Sequence, residues 1–463
     1  LKQHVVPDWF HNAKLGIFVH WGLFSVPGWA PTTGDLDKVV EQQGWAAWFA
    51  QNPYAEWYQN SLKFENSPSR RYHTQTYGAD ASYDDFVPMF NDAIKNWQPD
   101  AWADLFERAG ARYAVLVTKH HDGFLLWPSA HGNPFKPGYQ AARDIAGELT
   151  EAVRQRGLQM GLYYSGGLDW TFKPDLIHDF SSLFAAIPQD EAYVAYADAH
   201  WRELIEHYQP ALMWNDIGYP AAADLPQLFA DYYNAVPDGV INDRFRQAPS
   251  TDSQAAPDPQ AAPPANEHWD FRTPEYARFD QIMATKWEST RGIGHSFGYN
   301  RNEGPEHYLP LDTLIRMFVD VVSKNGNLLL NVGPMADGTI PDLQRERLEG
   351  LGAWLAVNGA AIFDTRPWQA AEGQTQNGID VRYTQKDDSL YATLLDTPPS
   401  NQVVVTGLHA DPHSTIRLLG HEQPLAWTQD GADLIITLPD AIPAAPAHSL
   451  QITPQPHADV AAQ

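Results

Sequence analysis

The stretch Tyr113-Ala114-Val115-Leu116-Val117-Thr118-Lys119-His120-His121-Asp122 carries both signals from which the fold follows. It begins as a continuous apolar run rather than an alternating one, the pattern of a strand covered on both faces. It then turns abruptly polar. Comparable runs recur at 16–21, 159–165, 211–216, 240–244 and 327–332, with helix-like stretches at 101–111, 144–157, 191–208, 224–236 and 311–324. In the last of these, Leu314, Met317, Phe318 and Val321 keep the i, i+3, i+4, i+7 spacing of one helix face. About eight strand–helix units over roughly 330 residues predict an α/β fold, a (β/α)8-like TIM barrel. A doubly wound open sheet is the alternative, made less attractive because no Gly-rich phosphate loop follows the first run.

Beyond a last helical stretch at 343–357 the pattern changes. Short β-like runs appear at 381–384, 390–395, 402–405, 415–418 and 434–438, separated by turn signals such as Lys386-Asp387-Asp388 and Asp430-Gly431. This predicts a C-terminal antiparallel β-sandwich at 366–463, following a barrel domain at 1–365. The Ala/Pro/Gln/Ser tract at 247–266 reads as a long loop beside the active-site rim, and the tail at 454–463 as a fraying end.

Composition narrows the partners. With 31 basic and 57 acidic side chains the formal charge is −26, a field that repels nucleic acid and anionic membranes. Neither is an expected partner, and no apolar run approaches the length of a membrane span. Having no Cys, the chain cannot form disulfides, thiolate metal sites or a Cys nucleophile. It opens on Leu1 rather than Met, and the expectation is an exported protein, periplasmic or extracellular, whose leader is absent from this chain. The 17 Trp, 20 Tyr and 20 Phe fit a large core or a sugar site, and composition alone favours the core.

In a parallel barrel, reactive groups lie at the C-terminal ends of strands. The apolar runs end in His20-Trp21-Gly22, Lys119-His120-His121-Asp122, Tyr163-Tyr164-Ser165, Trp214-Asn215-Asp216 and Asn242-Asp243-Arg244; His268-Trp269-Asp270-Phe271 precedes Glu275, and Asn325-Gly326-Asn327 leads into Leu328-Leu329-Leu330-Asn331. Any one of these could be a satisfied buried polar group. Their coincidence on several strands marks a site. Carboxylates among aromatic walls suit glycosidic cleavage, one carboxylate attacking or positioning water and the other protonating the leaving oxygen. Asp216 is the leading candidate nucleophile, although an Asp there could equally cap the following helix. The match Gly294-His295-Ser296-Phe297-Gly298 has polar, Gly-containing flanks and reads as a loop, not a nucleophile elbow. His20, His120, His121 and Asp122 raise the alternative of a metal-dependent barrel hydrolase. Adjacent strand residues face opposite ways, so His120 and His121 are not expected to share a metal. Neutral imidazoles, each with one donor and one acceptor, suit sugar hydroxyls better.

Six strings then fall into register: Gly16-Ile17-Phe18-Val19-His20-Trp21-Gly22, Glu56-Trp57-Tyr58, Lys119-His120-His121-Asp122-Gly123-Phe124, Trp214-Asn215-Asp216, Phe297-Gly298-Tyr299-Asn300 and Asn327-Leu328-Leu329-Leu330-Asn331-Val332-Gly333-Pro334. Together they resemble the family 29 glycoside hydrolases, the α-L-fucosidases, from about Trp9 to Trp368. The resemblance implies a retaining enzyme without metal or cofactor that hydrolyses terminal α-L-fucosyl residues from oligosaccharides or glycoconjugates. It implies Asp216 as nucleophile and Glu275 as acid/base, with Glu56 and Glu288 as rivals. Glu56 is expected instead to bind a sugar hydroxyl, and Glu288 to pair with Lys286 or Arg291. His20, Glu56, Trp57, His120, His121, Tyr163, Trp214 and Arg244 match contacts to the fucose hydroxyls and ring, with Tyr163 rather than Tyr164 facing the barrel axis. Phe297 matches an aromatic against the C5 methyl. The two carboxyl groups are expected about 5–5.5 Å apart. A fucose-binding protein that has lost catalysis is the other alternative.

Overall fold

A computed structural model of the chain describes residues 1, 3–33, 39, 41, 42, 44–247 and 267–458. Seven parallel strands form the first sheet: β1 (Leu15–Val19), β2 (Tyr113–Lys119), β3 (Gln159–Tyr164), β4 (Leu212–Asn215), β5 (Val240–Ile241), β6 (Trp287–Gly292) and β7 (Gly326–Val332). Their order is β5-β4-β3-β2-β1-β7-β6. Residues 270–272 join the two edges. Phe271 bridges Asn242 beyond β5, and Arg272 bridges Trp287 of β6, both in parallel sense. Asp270 N donates to Ile241 O and Glu288 N to Arg272 O, each at 2.8 Å. The (β/α)8-like barrel therefore has seven full strands, and this short segment takes the eighth position.

Continuous apolar runs arise because both strand faces are covered. Phe18, Tyr113, Val115, Val117, Trp214 and Leu329 fill the barrel, floored by Phe10 and Ala13 of the helix Asp8–Ala13. Ile17, Val19, Leu116 and Leu330 face outward into the helix layer. Gly16 is a steric requirement: a Cβ there would come within 2.3 Å of the Tyr113 ring. The outer helices include Pro99–Arg108, Ile145–Gln155, Glu191–Tyr208, Leu225–Ala235, Leu311–Ser323 and Asp342–Asn358.

The C-terminal part is antiparallel throughout. A five-stranded sheet contains β8 (Arg366–Gln374), β9 (Asp380–Lys386), β10 (Ser389–Leu394), β13 (Thr415–Leu418) and β16 (His448–Thr453). A three-stranded sheet contains β11 (Gln402–Val405), β14 (Ala426–Asp430) and β15 (Asp433–Thr437). Their shared core includes Val381, Leu390, Val403, Ile416, Leu434, Ile436 and Leu450. The short strands β12 (Leu408–His409) and β17 (His457–Ala458) pair with each other. The tail expected to fray from 454 thus still pairs at 457–458, because backbone hydrogen bonds with a partner strand override its local composition. Residues 459–463 lie outside the described residues, as does the predicted rim loop except for Gln247.

Asp320 ties the two parts together. Its side chain is only 2% exposed and accepts from Arg382 Nε of β9 at 2.5 Å and from Lys324 Nζ at 3.0 Å. Burial alone would raise the Asp320 pKa, but Arg382 and Lys324 outweigh it and the net shift is downward. Asp320→Asn removes the buried anion shared by Arg382, Lys324 and Arg278, leaves the first two only the half-exposed Glu372, and is expected to cost about 3 kcal/mol. A carboxyl depressed on folding stabilises fully above its unfolded pKa of about 3.9, and the effect fades as pH falls through the lower folded value. Thermal melts of the two proteins should therefore differ most near neutral pH and converge in acid.

Candidate active site

The polar residues at the strand ends converge on a cavity of about 800 Å³. His20, Glu56, Trp57, His120, His121, Tyr163, Trp214, Asp216, Arg244, Glu275 and Phe297, all expected from the sequence, line it together.

Asp216 follows β4 through a sharp turn. Ile217 has φ 55° and Gly218 φ 85°. A β-branched residue in the left-handed region costs about 1–3 kcal/mol and needs support from its surroundings. That support comes from Asn215, whose Nδ2 donates to Gly218 O at 2.8 Å and Arg244 O at 2.9 Å. Gly167 N also donates to Asp216 O at 3.0 Å. The turn directs the Asp216 carboxylate into the cavity. Oδ2 accepts from the Tyr163 hydroxyl at 3.0 Å, and Oδ1 accepts from Arg244 Nη1 at 2.8 Å. Asp216 does not cap the following helix. That helix starts at Leu225, and Asp224 caps it by accepting from Gln227 N.

Arg244 links two carboxylates. Its Nη1 also donates to Glu275 Oε2 at 3.3 Å. The guanidinium is held over the Trp214 ring, 4.6 Å from its centroid, and donates through Nε to Thr273 Oγ1 at 2.9 Å and through Nη2 to Thr273 O at 3.0 Å. Glu275 stands at the cavity mouth with its side chain 35% exposed. Loss of water in this crowded position raises its pKa, Arg244 opposes the rise, and the Asp216 carboxylate adds to it. Tyr276, the next residue, is also left-handed at φ 49°. Each of the two carboxylates is thus followed by a strained residue.

The three histidines are neutral, and their neighbours fix two tautomers. Burial lowers the His20 pKa to about 4 and that of His121 to about 3, and holds His120 well below the ordinary value. Asn331 Nδ2 donates to Phe297 O at 2.7 Å, which turns its Oδ1 to His20 Nδ1 at 2.6 Å. His20 Nδ1 therefore carries the proton and Nε2 is an acceptor. Ser165 Oγ donates to Leu168 O at 2.7 Å and so accepts from His121 Nδ1 at 2.6 Å. His121 Nε2 is left as an acceptor 4.0 Å from Asp216 Oδ2. His120 Nδ1 is buried without a hydrogen-bond partner. Glu56 Oε2 accepts from Gly298 N at 2.7 Å, and burial raises its pKa to about 7. This ring of acceptors, with one unpaired imidazole nitrogen, fits a ligand rich in hydroxyl donors.

Two expectations need correction. Glu288 pairs with neither Lys286 nor Arg291. It accepts from the Tyr113 hydroxyl at 2.5 Å and from Trp214 Nε1 at 3.1 Å inside the barrel, because the strand pleat turns it inward beneath Trp214. Lys286 Nζ donates to Asn325 O instead, and Arg291 reaches Met317. Second, His120 and His121 do not face opposite ways. Strand β2 ends at Lys119, the pleat stops there, and both rings enter the cavity with centroids 3.9 Å apart. Among the described residues, no group of three or more His, Asp or Glu side chains is arranged to hold a metal ion. Ser296 serves as a brace, accepting from Ala55 N at 2.8 Å and donating to Gly298 O at 2.7 Å beside Glu56.

The profile of the α-L-fucosidase family matches residues 1–360, and that of the α-L-fucosidase C-terminal domain matches residues 374–453. The chain belongs to the α-L-fucosidase family. As such it is a glycoside hydrolase. It is 34% identical to human plasma α-L-fucosidase over 92% of this chain and 84% of that protein. It is 32% identical to mouse tissue α-L-fucosidase over 96% of this chain and 90% of that one. The crystal structure of Thermotoga maritima α-fucosidase in complex with fucose covers 98% of both chains at 42% identity, with a TM-score of 0.84. A structure of the same enzyme in complex with a mechanism-based inhibitor has a TM-score of 0.85 at 42% identity and 98% coverage of both chains.

Several walls of this α-L-fucosidase cavity lie beyond the reach of strand-end reasoning. Tyr54, Trp45, Trp48 and Phe49 come from the long excursion between β1 and β2, and Phe180 and Leu183 from the short helix Phe180–Ala185. None of them closes an apolar run. Their signal is aromatic residues in a polar connection, visible at Trp45-Ala46-Ala47-Trp48-Phe49. No helix among the described residues is long and apolar enough to cross a membrane.

Proposed function

We propose that the chain is a retaining α-L-fucosidase that releases terminal α-L-fucosyl residues from oligosaccharides or glycoconjugates through a covalent intermediate on Asp216. The observation that carries the stereochemical reading is the shared Arg244 Nη1. Its contacts of 2.8 and 3.3 Å put the two carboxylate oxygens at most about 6 Å apart. Inverting enzymes need roughly 6.5–9.5 Å to admit a water between them, and retaining enzymes about 5–5.5 Å.

In this reading an Asp216 oxygen attacks C1 of the fucosyl group as the bond from C1 to the leaving oxygen breaks, and Glu275 gives its proton to that oxygen. Glu275, now ionised, takes a proton from water. The water oxygen attacks C1 and frees the Asp216 carboxylate, so each cycle consumes one water and returns both groups to their starting forms. The raised pKa of Glu275 keeps the acid protonated to higher pH. The His20 and His121 acceptor nitrogens and Glu56 receive the sugar hydroxyl protons. Phe297, packed on His20 at 5.0 Å between centroids, offers an apolar face to the C5 methyl.

Fucose release from aryl fucosides tests the reaction, and Glu275→Ala tests the acid. With a poor leaving group, kcat/KM should fall about 10²–10⁴-fold. With an activated leaving group such as dinitrophenolate it should fall far less, since that group departs without a proton. Equal losses on both substrates would remove Glu275 from the role of acid.

A further inference from the structure

Further large aromatic side chains line the cavity beside those matched to the fucosyl group. Phe180 is 44% exposed, and its ring lies 4.2 Å from that of Trp45 in an edge-on arrangement. Trp48 packs edge-on against Tyr54 at 5.5 Å, and Tyr54 against Phe297 at 5.7 Å. The Tyr54 hydroxyl in turn interacts with the Glu275 carboxyl. A continuous aromatic path thus runs outward from Glu275 through Tyr54 and Trp48 to Trp45 and Phe180. These residues line the same cavity as Asp216. Trp48, Leu183 and the half-buried Trp45 also share one apolar cluster with Ile217, the strained neighbour of Asp216.

Phe180 and Trp45 together present aromatic surface inside the cavity that holds Asp216, and apolar surface in a cleft with a few convergent polar groups is where a ligand binds. The direction of the chemistry supplies one. The group that protonates the leaving oxygen must stand beside it, so the leaving group lies on the Glu275 side and extends toward the mouth. The shelf starts there.

We infer that Trp45, Trp48 and Phe180 form a binding site for the leaving-group sugar, a neutral pyranoside whose C–H face lies on the aromatic shelf. This inference rests on the fucosidase reading above and deepens it. The charge pattern selects a neutral sugar over a sulfated or sialylated one. Among the described residues, the arginines lining the cavity are Arg244 and Arg291, and no lysine lines it. Arg244 is committed to Asp216, Glu275 and Thr273, and Arg291 to Gly292 O and Met317. The net charge of −26 opposes an anionic ligand further.

The test compares kcat/KM on three substrates: α-L-fucosyl fluoride, which has no leaving-group sugar, a neutral fucosyl disaccharide, and the same disaccharide sulfated on its leaving-group sugar. The unaltered enzyme should prefer the neutral disaccharide to the sulfated one by tenfold or more. The double variant Trp45→Ala, Phe180→Ala should lower the disaccharide-to-fluoride ratio at least tenfold, mainly through KM. Both side chains are partly exposed, and turnover of the fluoride reports that the variant is folded. A ratio within twofold of the unaltered enzyme, or equal use of neutral and sulfated disaccharides, would overturn the shelf while leaving the fucosidase reading intact. Failure of the unaltered enzyme to turn over the fluoride would overturn that reading, and the shelf with it.

Discussion

Asp216→Gly is expected to lower kcat/KM on an aryl α-L-fucoside by about 10⁴-fold or more, the scale on which a nucleophile acts when it works as one unit with its partners. The fold should survive, because the Asp216 side chain does not cap the next helix and the turn at 215–218 is held by Asn215. Removing the carboxylate leaves a small polar gap next to the Tyr163 hydroxyl and the Arg244 guanidinium, both suited to an anion. Azide added in excess should enter that gap, attack C1 from the side vacated by Asp216 and restore part of the turnover. The product is then β-L-fucosyl azide, with configuration opposite to the substrate. Product analysis by proton NMR distinguishes this from rescue of an intact retaining pathway. A variant that kept full activity would remove Asp216 from the chemistry.

Arg244→Met is expected to have the second-largest effect. The side chain of Arg244 is a cation in contact with both Asp216 and Glu275. Without it the two carboxyl groups face each other at short range with no intervening charge, and like charges so placed cannot both ionise easily. A loss of about 10²-fold or more in kcat/KM follows, comparable to removal of a preorganised donor from an active site. The pH profile should also move. Arg244 now holds the Glu275 pKa down against burial and the Asp216 charge. Its removal raises that pKa. As the proposed acid, Glu275 would act in its protonated form, so the basic limb of kcat/KM, which reports loss of that proton, is expected to move to higher pH. A basic limb that stayed in place would show that Glu275 does not set it.

Much of this site is legible in the amino-acid sequence, for a physical reason. Strand interiors are sealed by continuous apolar runs, so the residues closing those runs must lie at one barrel end, which is where His20, His120, Tyr163, Asp216 and Arg244 stand. Strand β6 escapes this reasoning because its sequence, Trp287-Glu288-Ser289-Thr290-Arg291-Gly292, is polar. Its inward residue Glu288 is satisfied by Tyr113 and Trp214 rather than by apolar packing. The segment at 270–272 that closes the ring is too short for any periodicity to register. The edge strand β8 holds Pro367 and a register irregularity between Pro367 and Glu372, and it likewise lacks an alternating pattern. Charge pairing fails differently. Glu288 lies two residues from Lys286 and three from Arg291, and proximity in sequence points to ion pairs, whereas the pleat decides its partners. The outer aromatic walls show the same limit, since Trp45 and Phe180 lie on short helices in two separate connections and meet only in the folded chain.

The role of Asp216 as nucleophile is tested by trapping the intermediate with 2-deoxy-2-fluoro-α-L-fucosyl fluoride, digesting the protein and locating the label by mass spectrometry. Stoichiometric labelling of the peptide that contains Trp214-Asn215-Asp216 is expected, with fragmentation placing the sugar on Asp216. A label on Glu275, Glu56 or any other residue, or steady turnover with no covalent species and an inverted first product, would contradict it.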